Sequence, residues 1–213
     1  MVKLFYADIE PLKNTRWRDV LPALPLWRQK RTLEMARDPD AARAAGAGLV
    51  YVQAMESFGL DPMAPVTFSE YGQPQRPDIF FSLSHAGPWC VCAAAPEPVG
   101  ADVEAARCSL AVAKRFFPGS EYEAAAALEG QAQREYLARL WTCREAVLKA
   151  LGTGVLGPGY EKLEIQLTAS SAAALRDRTP MELSLREFRL GEYYLALACR
   201  DRFIEERPVV IHG

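Results

Sequence analysis

A chain of 213 residues that is 50% hydrophobic and 24% charged has the apolar surface to build a core, which excludes a disordered protein and leaves one large unit or two small fused halves. With 25 Lys and Arg against 27 Asp and Glu the net charge is −2, so no global basic field draws the chain to nucleic acid and any anion site must be local. No window approaches the roughly 20 apolar residues that span a bilayer, and the first residues lack a basic-then-apolar leader pattern. Cysteines at 90, 92, 108, 143 and 199 have no zinc-site spacing, so the expectation is a cytoplasmic protein with reduced thiols, most of them small core residues.

In chain order, residues 2–8 predict a short strand, and Pro11, Pro22 and Pro25 punctuate a following segment of brief helices. From Arg16 to Arg43 there are seven basic residues (Arg16, Arg18, Arg28, Lys30, Arg31, Arg37, Arg43) against four acidic ones, a solvated helix face or a local anion site. Asp38 and Pro39 open an Ala-rich helix that runs to Phe58, with Leu49, Val52 and Met55 at helical spacing and Gly59 as its stop. Strands are expected at Val66–Ser69, Ile79–Ser84 and Trp89–Ala95, separated by the turn chemistry of EYGQP and HAGP, with Val99–Glu104 extending that sheet. A second long helix over 131–151 precedes strands at 163–167, 181–188 and 193–199. Helix followed by three strands thus occurs twice, without a residue-level repeat. The expected fold is α+β, with two similar, pseudo-duplicated halves, 1–104 and 105–213, each a long helix on a small, mostly antiparallel sheet.

Three constellations carry chemistry. In PVGADVEAA, Asp102 and Glu104 lie two apart on a strand and so point to the same face, where two like charges favour a cation between them; a solvated edge would be the plainer origin of such a pair. In LWTCREAVLKALGTG, Glu145 and Lys149 stand four apart on a helix that Trp141, Val147 and Leu148 mark as largely buried, and Gly152 and Gly154 end it. In FSLSHAGPW, Ser84 and His85 close a strand beside small Ala86 and Gly87, a junction suited to a phosphate or to a purely structural histidine.

The ordered series EYGQP, FSLSHAGPW, VGADVE, KRFFPGSEYE and LWTCREAVLKALGTG resembles the phosphopantetheinyl transferase superfamily, in its larger Sfp-type members. The resemblance covers most of the chain, and its most specific part is Gly100, Asp102 and Glu104 followed by Trp141 to Lys149. It implies two α+β halves flanking a coenzyme A cleft, and transfer of phosphopantetheine from coenzyme A to a serine of an apo acyl or peptidyl carrier protein. It implies magnesium, or manganese in its place, held by Asp102, Glu104 and Glu145, with Glu145 and Lys149 catalytic. Arg43, His85 and Lys149 would contact the coenzyme A phosphates, with Arg28, Lys30 and Arg31 as helpers, Ser84 beside His85, and Tyr71, Gly72, Gln73 and Pro74 lining the nucleotide end. Arg144 stands where the family usually has Lys and keeps the charge, whereas Gln73 stands where a Lys is frequent and removes one. Expected partners are coenzyme A and a transiently bound, acidic carrier protein, with the enzyme a monomer and neither nucleic acid nor membrane involved. The segment AVAKRFFPGSEYE, with Lys114, Arg115, Phe116 and Phe117, is the candidate carrier surface, although at least one of the two phenylalanines is expected in the core. A metal-dependent phosphohydrolase and a non-catalytic coenzyme A-binding accessory protein are the alternatives.

Overall fold

In the computed structural model, which describes residues 1–154, 157, 160–200 and 203–211, the chain starts with β1 (Val2–Asp8) and continues through α1 (Trp17–Val20), α2 (Leu26–Leu33) and α3 (Asp38–Ser57). A two-residue hairpin, β2 (Thr67–Phe68) and β3 (Pro74–Gln75), precedes β4 (Phe80–Ala86) and β5 (Trp89–Ala95). Next come β6 (Val99–Ala105), α4 (Leu110–Phe116), α5 (Gly119–Ala126) and α6 (Gly130–Leu151). Strands β7 (Leu163–Leu167), β8 (Ala172–Arg176), β9 (Thr179–Pro180), β10 (Ser184–Leu190), β11 (Tyr193–Cys199) and β12 (Ile204–Pro208) close the chain. The fold is α+β, as the sequence predicts, and among the described residues no helix is long and apolar enough to cross a membrane.

One unit comprises Met1–Glu97 with Phe203–Gly213. Its sheet has the order β12-β1-β5-β4, antiparallel except for the parallel pair β1 and β12, and α3 packs on it. Asp38 and Asp40 in the first turn of α3 complement the helix dipole, Pro39 fits where no N–H is needed, and Gly59 at φ +70° turns the chain out. The buried alanines 41, 42, 44, 45 and 47 let the helix approach its neighbours closely, and Tyr51 and Phe81, with ring centroids 5.0 Å apart, fill the core with Phe5, Ile9, Leu12 and Met55.

The other unit is Pro98–Arg202, with two antiparallel sheets ordered β10-β11-β6 and β7-β8-β9. Helix α6 packs against β6, β11 and β7, burying Leu137, Leu140, Val147 and Leu148 with Leu163, Ile165 and Ala196. All five cysteines are free thiols; four are buried and Cys108 is partly so.

The boundary differs from the expected 104/105. Strand β6 does not extend the sheet of β4 and β5; it pairs along its whole length with β11, Asp102 facing Ala196 and Glu104 facing Tyr194. In exchange β12, from the end of the chain, pairs with β1 from Val2↔Ile204 onward. The repeat of helix and three strands is therefore a feature of sequence order, and each unit is completed by a strand from beyond the expected boundary.

Candidate active site

Strand β6 and helix α6 build the acidic site between them. Gly100, Asp102 and Glu104 share one face of β6 by the strand's period of two. At Gly100 the helix backbone comes so close that a Cβ would lie 1.9 Å from the Ala146 carbonyl oxygen and 2.4 Å from the Ala150 amide nitrogen. Ala146 and Ala150 directly follow Glu145 and Lys149, so the missing side chain at Gly100 sets how near the acids on the strand come to the charges on the helix. Asp102 is buried at 3% exposure, and Lys149 Nζ donates to its Oδ1 at 2.6 Å and to the Ala101 carbonyl at 3.2 Å.

The other two acids lie in the same field. Burial, then repulsion from Asp102, pushes Glu104 up to about 7 against the pull of Lys149, with Glu145 adding further repulsion. Glu145 is likewise pushed up to about 7 by burial and by Asp102, opposed by Lys149 and Arg144. Three coupled carboxylates are hard oxygen donors of the kind magnesium takes, and their mutual repulsion is what a divalent cation would relieve. As the side chains lie, no three acidic, histidine or cysteine groups among the described residues are gathered tightly enough to enclose an ion. The donor set fits the metal in chemistry, while Asp102 is engaged by Lys149.

The other candidates belong to the first unit. Ser84 and His85 end β4 opposite Val91 and Cys90, with Ser84 partly buried and His85 exposed. The Tyr71–Pro74 segment is a tight turn: Gly72 has φ +76°, and the Ser69 hydroxyl accepts the amides of Tyr71 and Gln73. Arg43 is partly buried and paired with Asp40, whereas Lys30 and Arg31 are exposed on α2. Arg28 is not a surface cation: it is 8% exposed, donates to the Ala44 carbonyl, lies over Trp27, and burial lowers its pKa to about 10. Its place on the inner face of α2, one residue after Trp27, makes it part of that unit's interior.

A family profile described as the 4'-phosphopantetheinyl transferase superfamily matches residues 98–198, the stretch that carries β6 and α6. The chain is 33% identical over 160 residues to a 4'-phosphopantetheinyl transferase of Bacillus subtilis, covering 72% of this chain and 70% of the relative. It is 31% identical over 186 residues to the 4'-phosphopantetheinyl transferase psf-1 of Bacillus pumilus, covering 82% and 79%. The chain belongs to the 4'-phosphopantetheinyl transferase superfamily. It also superposes over 47% of its length on holo-[acyl-carrier-protein] synthase of Thermotoga maritima, covering 61% of that chain, with 24% identity and a TM-score of 0.39.

In this member of the superfamily the residue before Glu145 has a role that the sequence reading missed. Arg144 is 1% exposed and pairs with a further acid, Glu121. Its Nη2 donates to both carboxylate oxygens of Glu121 at 2.6 Å, its Nη1 donates to the Leu163 carbonyl at 2.9 Å, and its guanidinium lies over the rings of Phe117 and Tyr160. Glu121 Oε1 also accepts the Ile165 amide at 2.5 Å. The pair therefore ties α6 to α5 and to the start of β7. An acid two residues after a glycine in PGSEYE reads as surface, and Glu121 could be found only through its partner. Phe117 is buried and Phe116 packs edge-on against Trp141 and Tyr160, while Lys114 and Arg115 are exposed, as are Val112, Ser120 and Glu123.

Proposed function

We propose that the chain transfers the phosphopantetheine arm of coenzyme A to a serine of an apo acyl or peptidyl carrier protein, with magnesium or manganese held by Asp102, Glu104 and Glu145. The observation that carries this reading is the convergence of three mutually repelling carboxylates and Lys149 on one strand-to-helix contact, in a chain of this superfamily. The serine oxygen forms a bond to the β-phosphorus as the bond to the leaving adenosine bisphosphate breaks, and the serine proton passes to the Glu145 carboxylate, directly or through a water. Bound magnesium supplies positive charge to the pyrophosphate oxygens. Lys149 donates to oxygens on which charge grows, and the buried setting strengthens that contact relative to water. Arg43, His85, Lys30 and Arg31 bind the phosphates of coenzyme A, with Ser84 beside them and the Tyr71–Pro74 turn at the nucleotide. A phosphohydrolase would use the same acids with water, and release of adenosine bisphosphate without a carrier would favour it.

Mass spectrometry of an apo-carrier incubated with enzyme, coenzyme A and magnesium should show the phosphopantetheine adduct, and chelation should abolish it. Glu145→Gln should lose at least about a hundredfold in single-turnover rate, the usual scale for lost transition-state electrostatics, while still binding coenzyme A. Full turnover in chelator, or a near wild-type Glu145→Gln, would refute the assignment.

Steady-state kinetics should separate the two substrates. Arg43→Ala and His85→Ala should raise the KM for coenzyme A and leave that for the carrier unchanged; the Lys114→Glu/Arg115→Glu double variant should do the reverse, with a carrier KM in the wild type that rises with salt. An unchanged KM for the paired substrate in a folded variant would remove those residues from that surface.

A further inference from the structure

Lys149 and Asp102 form a sheltered pair: the Asp102 side chain is 4% exposed and that of Lys149 25%, so the bond is weakened by solvent less than a surface ion pair is. Two of the three donors of the ammonium are directed at Asp102 and at the Ala101 carbonyl. The same charge draws on Glu104 and Glu145. In the transfer reaction proposed above, Lys149 must face phosphate oxygens and Asp102 must face the cation. The two demands compete with the bond that joins them.

From this geometry we propose that Lys149 is a placeholder in the acidic site: it holds Asp102 in the free enzyme and gives it up to the divalent cation when coenzyme A offers its phosphates to the ammonium instead. The proposal rests on the transfer reading and adds an order of assembly to it. Lys149 neutralises part of the charge that would otherwise make three close carboxylates repel, so the free enzyme keeps the strand and helix together. The exchange is cheap once coenzyme A is present, because the ammonium trades one anionic oxygen for another. Without coenzyme A it is costly, since Lys149 would leave a buried carboxylate for solvent. Cation and coenzyme A therefore bind with positive coupling, and by linkage each tightens the other equally.

The direct test counts free manganese by electron paramagnetic resonance as the ion is titrated into the enzyme without coenzyme A. Lys149→Met should bind manganese about tenfold more tightly than wild type, although it loses transfer. Removing any nearby cation also strengthens the field of the acids, so Arg107→Ala serves as the control: Arg107 is an exposed cation that likewise acts on Glu104. Its gain should be much smaller. Equal gains in the two variants, or none in Lys149→Met, would overturn the proposal. A second readout uses the wild type and does not depend on the variant folding: the Lys149 ammonium resonance should be protected from solvent exchange in the free enzyme and lose that protection when magnesium saturates the site in the absence of coenzyme A. Protection that survives saturation would also overturn it. If manganese binds neither protein, with or without coenzyme A, then the metal assignment itself fails.

Discussion

Arg144→Ala should unfold far more easily than wild type, losing about 3–5 kcal/mol, because it strands Glu121 as an uncompensated charge in the interior. For a chain of this length that is a fall in melting temperature on the order of 10 °C. Arg144→Lys should recover part of the loss: a lysine keeps the charge but cannot reach Glu121 and the Leu163 carbonyl with a planar fork. Removing both charges in Arg144→Met/Glu121→Gln should restore more than either single change, since the glutamine carbonyl oxygen can still accept the Ile165 amide. Thermal melts of these variants, of the two single changes and of the wild type decide this. Equal melting of Arg144→Ala and wild type would mean that the pair is not formed, and additive losses in the double variant would mean that the two groups do not act together.

Gly100→Ala should lose transfer by about a hundredfold or more with coenzyme A binding largely retained. A methyl group cannot fit 1.9 Å from a carbonyl oxygen of α6, so strand and helix must separate, and Asp102 and Glu104 move away from Glu145 and Lys149. Misplacement of reacting groups by about 1 Å is enough for a loss of that size. Of the groups assigned to coenzyme A, Lys149 alone lies in the same unit as Gly100; Arg43, His85, Lys30, Arg31 and the Tyr71–Pro74 turn belong to the other. Single-turnover rates and coenzyme A affinity, measured on the same preparation, test the split. A near wild-type rate would show that the approach at Gly100 does not set the site.

Much of this site was legible in the sequence because short-range spacing fixes it. Period two on β6 put Asp102 and Glu104 on one face, and a separation of four on α6 put Glu145 beside Lys149; neither inference needed the fold. The long helices and the strands at 2–8, 89–95 and 193–199 were readable because apolar or Ala-rich runs there have a Gly or Pro close to one end. Strand β8, with the sequence AAALR, lacks β-branched residues and alternation, and β12, with IEERP, is a charged edge; both form because a neighbouring strand offers hydrogen bonds, which no local pattern records. Helices α4 and α5 are short and depend on packing against α6 and on each other. The same limit explains Arg28 and Arg144: a basic residue reads as exposed, and only the partners brought by other elements, the Ala44 carbonyl and Glu121, let these two be buried.

The parallel pairing of β1 with β12 makes the second unit an insertion inside the first. A single cut between residues 97 and 98 leaves the first unit without its edge strand, so no one break in the gene would yield both units whole. On the ribosome the order of completion reverses the order of synthesis. Residues 98–202 emerge with every strand of their sheets present, while β1 waits with one edge unpaired until β12 is made. The earlier of the two units is finished last, and the interval between β1 and β12 is the period in which its open edge must be kept from pairing with another chain.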